Sequence, residues 1–204
     1  MAYVPALGAT MPKYGRTLAH PGARHTVALP PMKLMRLFAA LIGLFAAGHV
    51  RADPLEVGAR APAVVGTDQE GNSVELGELY KKGWVLVYFY PKAGTSGCTK
   101  QACSLRDAYE TLAQRGVTVV GVSADGVAAQ KDFQDEYKLP FTLLADPEKK
   151  VIRAFGVPTT MGFAARQAYL MRDGVVVWRD LKASTEKQAA DVLAALDALA
   201  KPAG

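Results

Sequence analysis

Read from its apolar and polar positions, the chain falls into a fixed order of elements. "LFAALIGLFAAG" (Leu37 to Gly48) is one apolar run behind the basic "MKLMR". "APAVVGTDQEGNSVEL" (61–76) gives two short strands about a Gly-Asn turn, and "GELYKKG" a helical turn. "WVLVYFYP" (84–91) is continuously apolar and closed by proline, the pattern of a central strand buried on both faces. From Cys98 apolar residues recur at Ala102, Leu105, Tyr109 and Leu112, which predicts one helix ended by Gly116. "VTVVGVSAD" (117–125) and "FTLLAD" (141–146) predict two more strands, with helices at "VAAQKDFQDEY" and "PEKKVIRAFG". "VPTTMGFAAR" reads as a loop. "QAYLMRDGVVVWRDL" reads as a hairpin turning at Asp173-Gly174, and "STEKQAADVLAALDALA" as a last helix capped by Ser184. The sum is an α/β domain with a mixed central β-sheet flanked by helices. Its site is expected in the loop that leaves the first central strand.

Charge divides the chain in two. Residues 1–52 hold six Lys or Arg and no acid, whereas 53–204 are nearly neutral. The net charge of +5 is therefore no nucleic-acid footprint. A basic n-region, an apolar h-region and "VRA" before Asp53 have the grammar of a secretory signal peptide cleaved near Ala52. The reading divides the chain into 1–31 as a mis-called extension, 32–52 as the signal peptide and 53–204 as the domain. The domain is expected in the periplasm or secreted. The apolar run is short for a membrane span, so no stable insertion is expected after processing. All three histidines (His20, His25, His49) precede the domain, which excludes a Ser-His-Asp triad, a Cys-His pair and His-ligated zinc or copper within it.

Both cysteines, Cys98 and Cys103, lie in "PKAGTSGCTKQAC" (91–103). An exported domain with two cysteines is most simply stapled by a disulfide. Helix geometry opposes that: residues i and i+5 stand about 8–9 Å apart at Cα, beyond the ~7 Å a disulfide tolerates. Closing the bond would unwind the helix, as a switching redox pair would and a staple would not. Two thiols without histidine are too few ligands for a metal. Thr95 or Ser96 can cap the helix, which puts Cys98 in its first turn, where free N–H groups and the helix dipole favour a thiolate. Thr95 lies one turn back, within reach of the sulfur or of an oxygen bound to it.

"P-K-A-G-T-S-G-C" fits the Pro-x-x-x-Thr-x-x-Cys motif of the peroxiredoxins, and "CTKQACSLRD", with a second cysteine five positions on, resembles their peroxiredoxin Q (bacterioferritin comigratory protein) group. The resemblance runs along most of 55–200 and includes "VGARAP", "YFYPK" and "R-x-x-YLMRDG". It implies a thioredoxin-like fold and a thiol peroxidase without cofactor or metal. Cys98 would be the peroxidatic thiolate and Cys103 the resolving thiol; Thr95 would orient the peroxide, Pro91 shield the thiolate, and Arg166 supply the active-site cation. The substrate would be hydrogen peroxide or an organic hydroperoxide, the reductant a thioredoxin-like dithiol protein, and the molecule a monomer rather than a dimer. A periplasmic thiol-disulfide oxidoreductase is the first alternative, though Cys-x-x-Cys is absent; a non-catalytic exported domain with a structural disulfide is the second. Residues alone do not single out Arg166 from Arg106, Arg153, Lys92 or Lys100. The family often has acids where Ala93 and Gly94 stand, Pro where Ser96 stands, and Glu where Gln101 stands. The last change removes an expected partner of the arginine.

Overall fold

A computed structural model describes residues 53–201. Among them, β1 (Val65–Thr67) and β2 (Ser73–Glu75) precede the short helix α1 (Leu76–Tyr80). The central segment is β3 (Trp84–Phe89), α2 (Ser96–Asp107), α3 (Tyr109–Gln114), β4 (Val117–Ser123), α4 (Val127–Tyr137) and β5 (Thr142–Ala145). Then come α5 (Lys150–Ala154), β6 (Thr159–Thr160), β7 (Phe163–Ala164), β8 (Gln167–Arg172), β9 (Val175–Asp180) and α6 (Gln188–Ala200).

Seven strands form one mixed sheet in the order β2-β1-β5-β4-β3-β8-β9. β3, β4 and β5 are parallel; β8 runs antiparallel to β3, and β1 to β5. The apolar run of β3 serves two cores, because side chains alternate across a strand. Leu86, Tyr88 and Tyr90 enter the face covered by α2, α3, α4 and α6. Val85, Val87 and Phe89 enter the face covered by α1 and α5, where Phe155 and Tyr169 pack on Phe89 with ring centroids 5.2 and 6.0 Å away. The expected α/β sandwich is thus realised, with helices on both faces.

Three local expectations are corrected. The helix from Cys98 to Gly116 breaks at Ala108 (φ −100°, ψ 6°), and beyond the break the ring of Tyr109 packs 6.0 Å from that of Phe141. The 157–166 segment is not a plain loop: β6 and β7 pair about Met161 (φ 52°) and Gly162 (φ 89°), two consecutive left-handed residues that make a tight hairpin. Strands of two residues are too short to show alternation. Ser184 does not cap α6. Its hydroxyl accepts from the N–H groups of Glu186 (3.3 Å) and Lys187 (3.0 Å), closing a separate turn, and the helix starts only at Gln188.

The segment 55–61 lies along β9. Gly58 N–H donates to Val176 (2.8 Å), Val176 N–H to Ala59 (2.9 Å) and Ala61 N–H to Gly174 (2.8 Å), in each case to the backbone carbonyl. The Arg179 guanidinium holds the carbonyl of Leu55 at 2.8 Å.

Candidate active site

The site forms where β3 ends. Tyr90 still donates its N–H to Val122 of β4 (3.1 Å), after which Pro91 ends the pairing. The Ala93 N–H is then caught by the Asp125 carboxylate at 2.8 Å, just past the end of β4, and Gly94 turns the chain through φ 70°. Thr95 is the residue that enters α2, with extended backbone (φ −80°, ψ 147°), and its carbonyl accepts the first helical bond from Thr99 N–H at 2.8 Å. Its hydroxyl does not cap the helix. It donates to the Lys92 carbonyl at 3.0 Å, which leaves its lone pairs to accept from another donor.

Cys98 is the third residue of α2 and only 1% exposed. Both cysteines are free thiols, on a helix that runs without interruption from Ser96 to Asp107. Antiparallel pairing does the rest. The register that sets Phe89 opposite Gln167 puts Arg166 beside the loop that leaves β3. Arg166 Nη2 stands 3.4 Å from Cys98 Sγ, and Nη1 donates to Gln101 Oε1. The guanidinium therefore supplies the charge that no histidine could.

The structure thus brings together Pro91, Thr95, Cys98 and Arg166 at one end of the sheet, with Cys103 five residues along the same helix. Two of the other candidate cations are engaged elsewhere. Lys100 pairs with Glu186 at 2.7 Å on an exposed rim. Arg106 donates to the Tyr137 carbonyl at 2.9 Å and pairs with Asp107.

Polar groups beneath the site were not legible from the motif. Gln101 is fully buried and donates through Nε2 to Gln188 Oε1 at 2.9 Å; Gln188 is itself fully buried, and its own Nε2 has no hydrogen-bond partner among the described residues. Gln188 was detectable in principle: it falls on the stripe of Val192 and Leu196 along the buried side of α6. Tyr88 lies over Gly121, where a Cβ would come within 2.8 Å of its ring, and its hydroxyl is buried without a partner among the described residues. Burial pushes the phenols of Tyr88 and Tyr90 well above the ordinary tyrosine range, so both stay protonated near the thiol.

Residues 57–179 match the AhpC/TSA family. The chain is similar to a putative chloroplastic peroxiredoxin Q of Oryza sativa subsp. indica, 45% identical over 122 residues that cover 58% of this chain and 56% of that protein. It is also 45% identical over 103 residues to a putative peroxiredoxin bcp of Coxiella burnetii, covering 50% of this chain and 68% of that one. Among solved structures it resembles peroxidoxin BcpB from Mycobacterium tuberculosis, with TM-score 0.68, 30% identity, and coverage of 72% of this chain and 99% of that one. The chain spans little more than half the length of the plant relatives it matches. These relatives correct one expectation, that of a periplasmic or secreted protein: the plant proteins are named as chloroplastic. Organelle transit segments are basic and poor in acids too, so the composition of 1–52 does not separate them from export signals. The extension and signal-peptide readings of 1–31 and 32–52 fall outside the described residues.

Proposed function

The chain belongs to the AhpC/TSA family, as a peroxiredoxin of the Q type, and on that premise we propose that it is a thiol-dependent peroxidase acting on hydroperoxides. The observation that carries this reading is the 3.4 Å approach of Arg166 Nη2 to Cys98 Sγ at a helix N-terminus. The Cys98 thiolate attacks the outer oxygen of R–O–O–H and the O–O bond breaks. The sulfur becomes a sulfenic acid and the departing alkoxide takes a proton to leave as ROH. Arg166 and the free N–H groups of the first helical turn face the charge as it moves along the O–O bond. Thr95 suits the task of receiving the peroxide O–H, because its own proton is committed to the Lys92 carbonyl at 3.0 Å.

Cys103 then attacks the sulfenic sulfur; a disulfide forms and water leaves. On an intact α2 the pair is about 8–9 Å apart at Cα, so the first turn must unwind for the bond to close. A dithiol protein of thioredoxin type restores both thiols. Two free thiols on an unbroken helix support this switching pair over a structural bridge.

Peroxide consumption with a small dithiol as reductant tests the reading. Cys98→Ser is expected to abolish turnover. Cys103→Ser is expected to consume about one equivalent and stall as a sulfenic acid. Turnover that survives Cys98→Ser would overturn the assignment.

A further inference from the structure

The contacts of Arg166 form a chain with one direction. A guanidinium only donates, so Gln101 must turn its carbonyl oxygen to Arg166. Its Nε2 then points away and donates to Gln188 Oε1 at 2.9 Å. Gln188 is left with its Nε2 buried and unpartnered among the described residues. Each amide is fixed by the one before it, and the series ends on a donor with nothing to meet. Gln188 itself is held in place: the next residue, Ala189, donates its N–H to Ser104 Oγ at 3.2 Å, one turn along α2 from Gln101.

We propose that Gln188 is a positioning residue for Arg166, acting through Gln101, so that the start of the last helix sets how the cation faces Cys98. The proposal rests on the peroxidase reading for its purpose, and on geometry alone for its existence. Without the Gln188 oxygen, the Gln101 Nε2 is buried with no acceptor, a costly state. The amide is then held only at its oxygen, by Arg166, and moves with the guanidinium instead of fixing it. A neutral glutamine at 101 makes this support necessary. A glutamate there would present only acceptors and hold the arginine with no help from Gln188.

The ionisable groups on the elements around Cys98 are Arg166 before β8, Cys103 on the same helix, Tyr88 and Tyr90 of the β3 segment, and Asp125 beyond β4. The tyrosines stay neutral through burial. The Lys100–Glu186 pair sits on the exposed rim. Arg166 is the charged group in direct contact with the sulfur, at 3.4 Å.

The test uses the full chain carrying Cys103→Ser, so that Cys98 is the single thiol. Two quantities are read: the rate of Cys98 alkylation by iodoacetamide against pH, and the rate of its reaction with hydrogen peroxide. Gln188→Met, similar in shape and without an acceptor amide, is expected to move the alkylation profile to higher pH. It should also slow the peroxide reaction about tenfold, the scale of one lost buried hydrogen bond. In a Gln101→Glu background the same Gln188→Met change is expected to move neither. Equal effects in both backgrounds, or no effect in either, would overturn the relay. If Gln188→Met does not fold, Gln188→Asn withdraws the amide by one methylene and is judged by the same two outcomes. Alkylation shifts without any peroxide reaction would keep the relay and sink the peroxidase reading; a fast peroxide reaction insensitive to Gln188 would do the reverse.

Discussion

Two glutamines, Gln130 and Gln188, are each fully buried and lie on helices that cover the same face of the sheet. Gln130 is complete. Its Nε2 donates to Ser123 Oγ (2.9 Å) and to the Leu144 carbonyl (2.8 Å), and its oxygen accepts from the Tyr90 hydroxyl. Ser123 passes the chain on to Asp125 at 2.7 Å, and Asp125 to the Ala93 N–H. Gln188 holds Gln101 and is otherwise left short of a partner. The difference separates two uses of buried polarity. A satisfied network ties β3, β4, β5 and α4 together and fixes the floor beneath the site. The other is incomplete, and it leads through Gln101 and Arg166 to the sulfur of Cys98. Orphaned polar groups are rare in folded proteins, and one linked through two side chains to the Cys98 sulfur calls for a functional reason.

The sharpest test of this contrast is at Arg166, to which the incomplete network leads. Arg166→Met should slow the reaction of Cys98 with peroxide by roughly a hundredfold, with little loss of thermal stability. Stopped-flow rates beside thermal unfolding check this. A fall in stability as large as the fall in rate would make the arginine structural and dissolve the distinction.

Gln130→Leu should show the opposite profile. It strands the Tyr90 hydroxyl and the Leu144 carbonyl, and about 2–4 kcal/mol of stability should go with them. Urea unfolding measures the loss. The initial peroxide rate of the protein that stays folded should hold within about threefold, since no Gln130 atom meets Cys98. The smallest effect is expected at the rim. Lys100→Ala removes an exposed ion pair, so melting temperature and peroxide rate should both stay within error. A clear fall in rate would return Lys100 to the list of site cations.

Legibility in the sequence follows the same divide. "VAAQKDFQDEY" is a helix over its whole length, and "WVLVYFYP" is a strand buried on both sides, because pattern and burial agree there. The Asp173-Gly174 hairpin was readable from turn chemistry, since both residues adopt positive φ. The break at Ala108 was not, for alanine is the best helix former and nothing local marks it. The start of α6 was misread because a serine followed by charged residues looks like a cap, yet here it closes its own turn. The placement of Cys98 in the first turn of α2, with Thr95 just before the helix, was legible from spacing, and Arg166 was singled out only by family likeness. What placed the arginine is the long-range register of β3 with β8, which no local pattern contains. Gln101 looked like the loss of a partner for Arg166; it is a partner still, with the charge removed.

The segment 55–61 has a consequence beyond its own hydrogen bonds. β9 is the last strand of the sheet, and a bare last strand offers unpaired N–H and C=O groups to any extended chain that meets it. Here residues 58–61 take up those groups at Val176 and Gly174, and Arg179 fastens the segment at Leu55. The protein thus covers the start of its own open edge with a strip of its own chain. A chain that meets this end of the hairpin finds the Val176 N–H and C=O already taken, so it cannot extend the sheet from there.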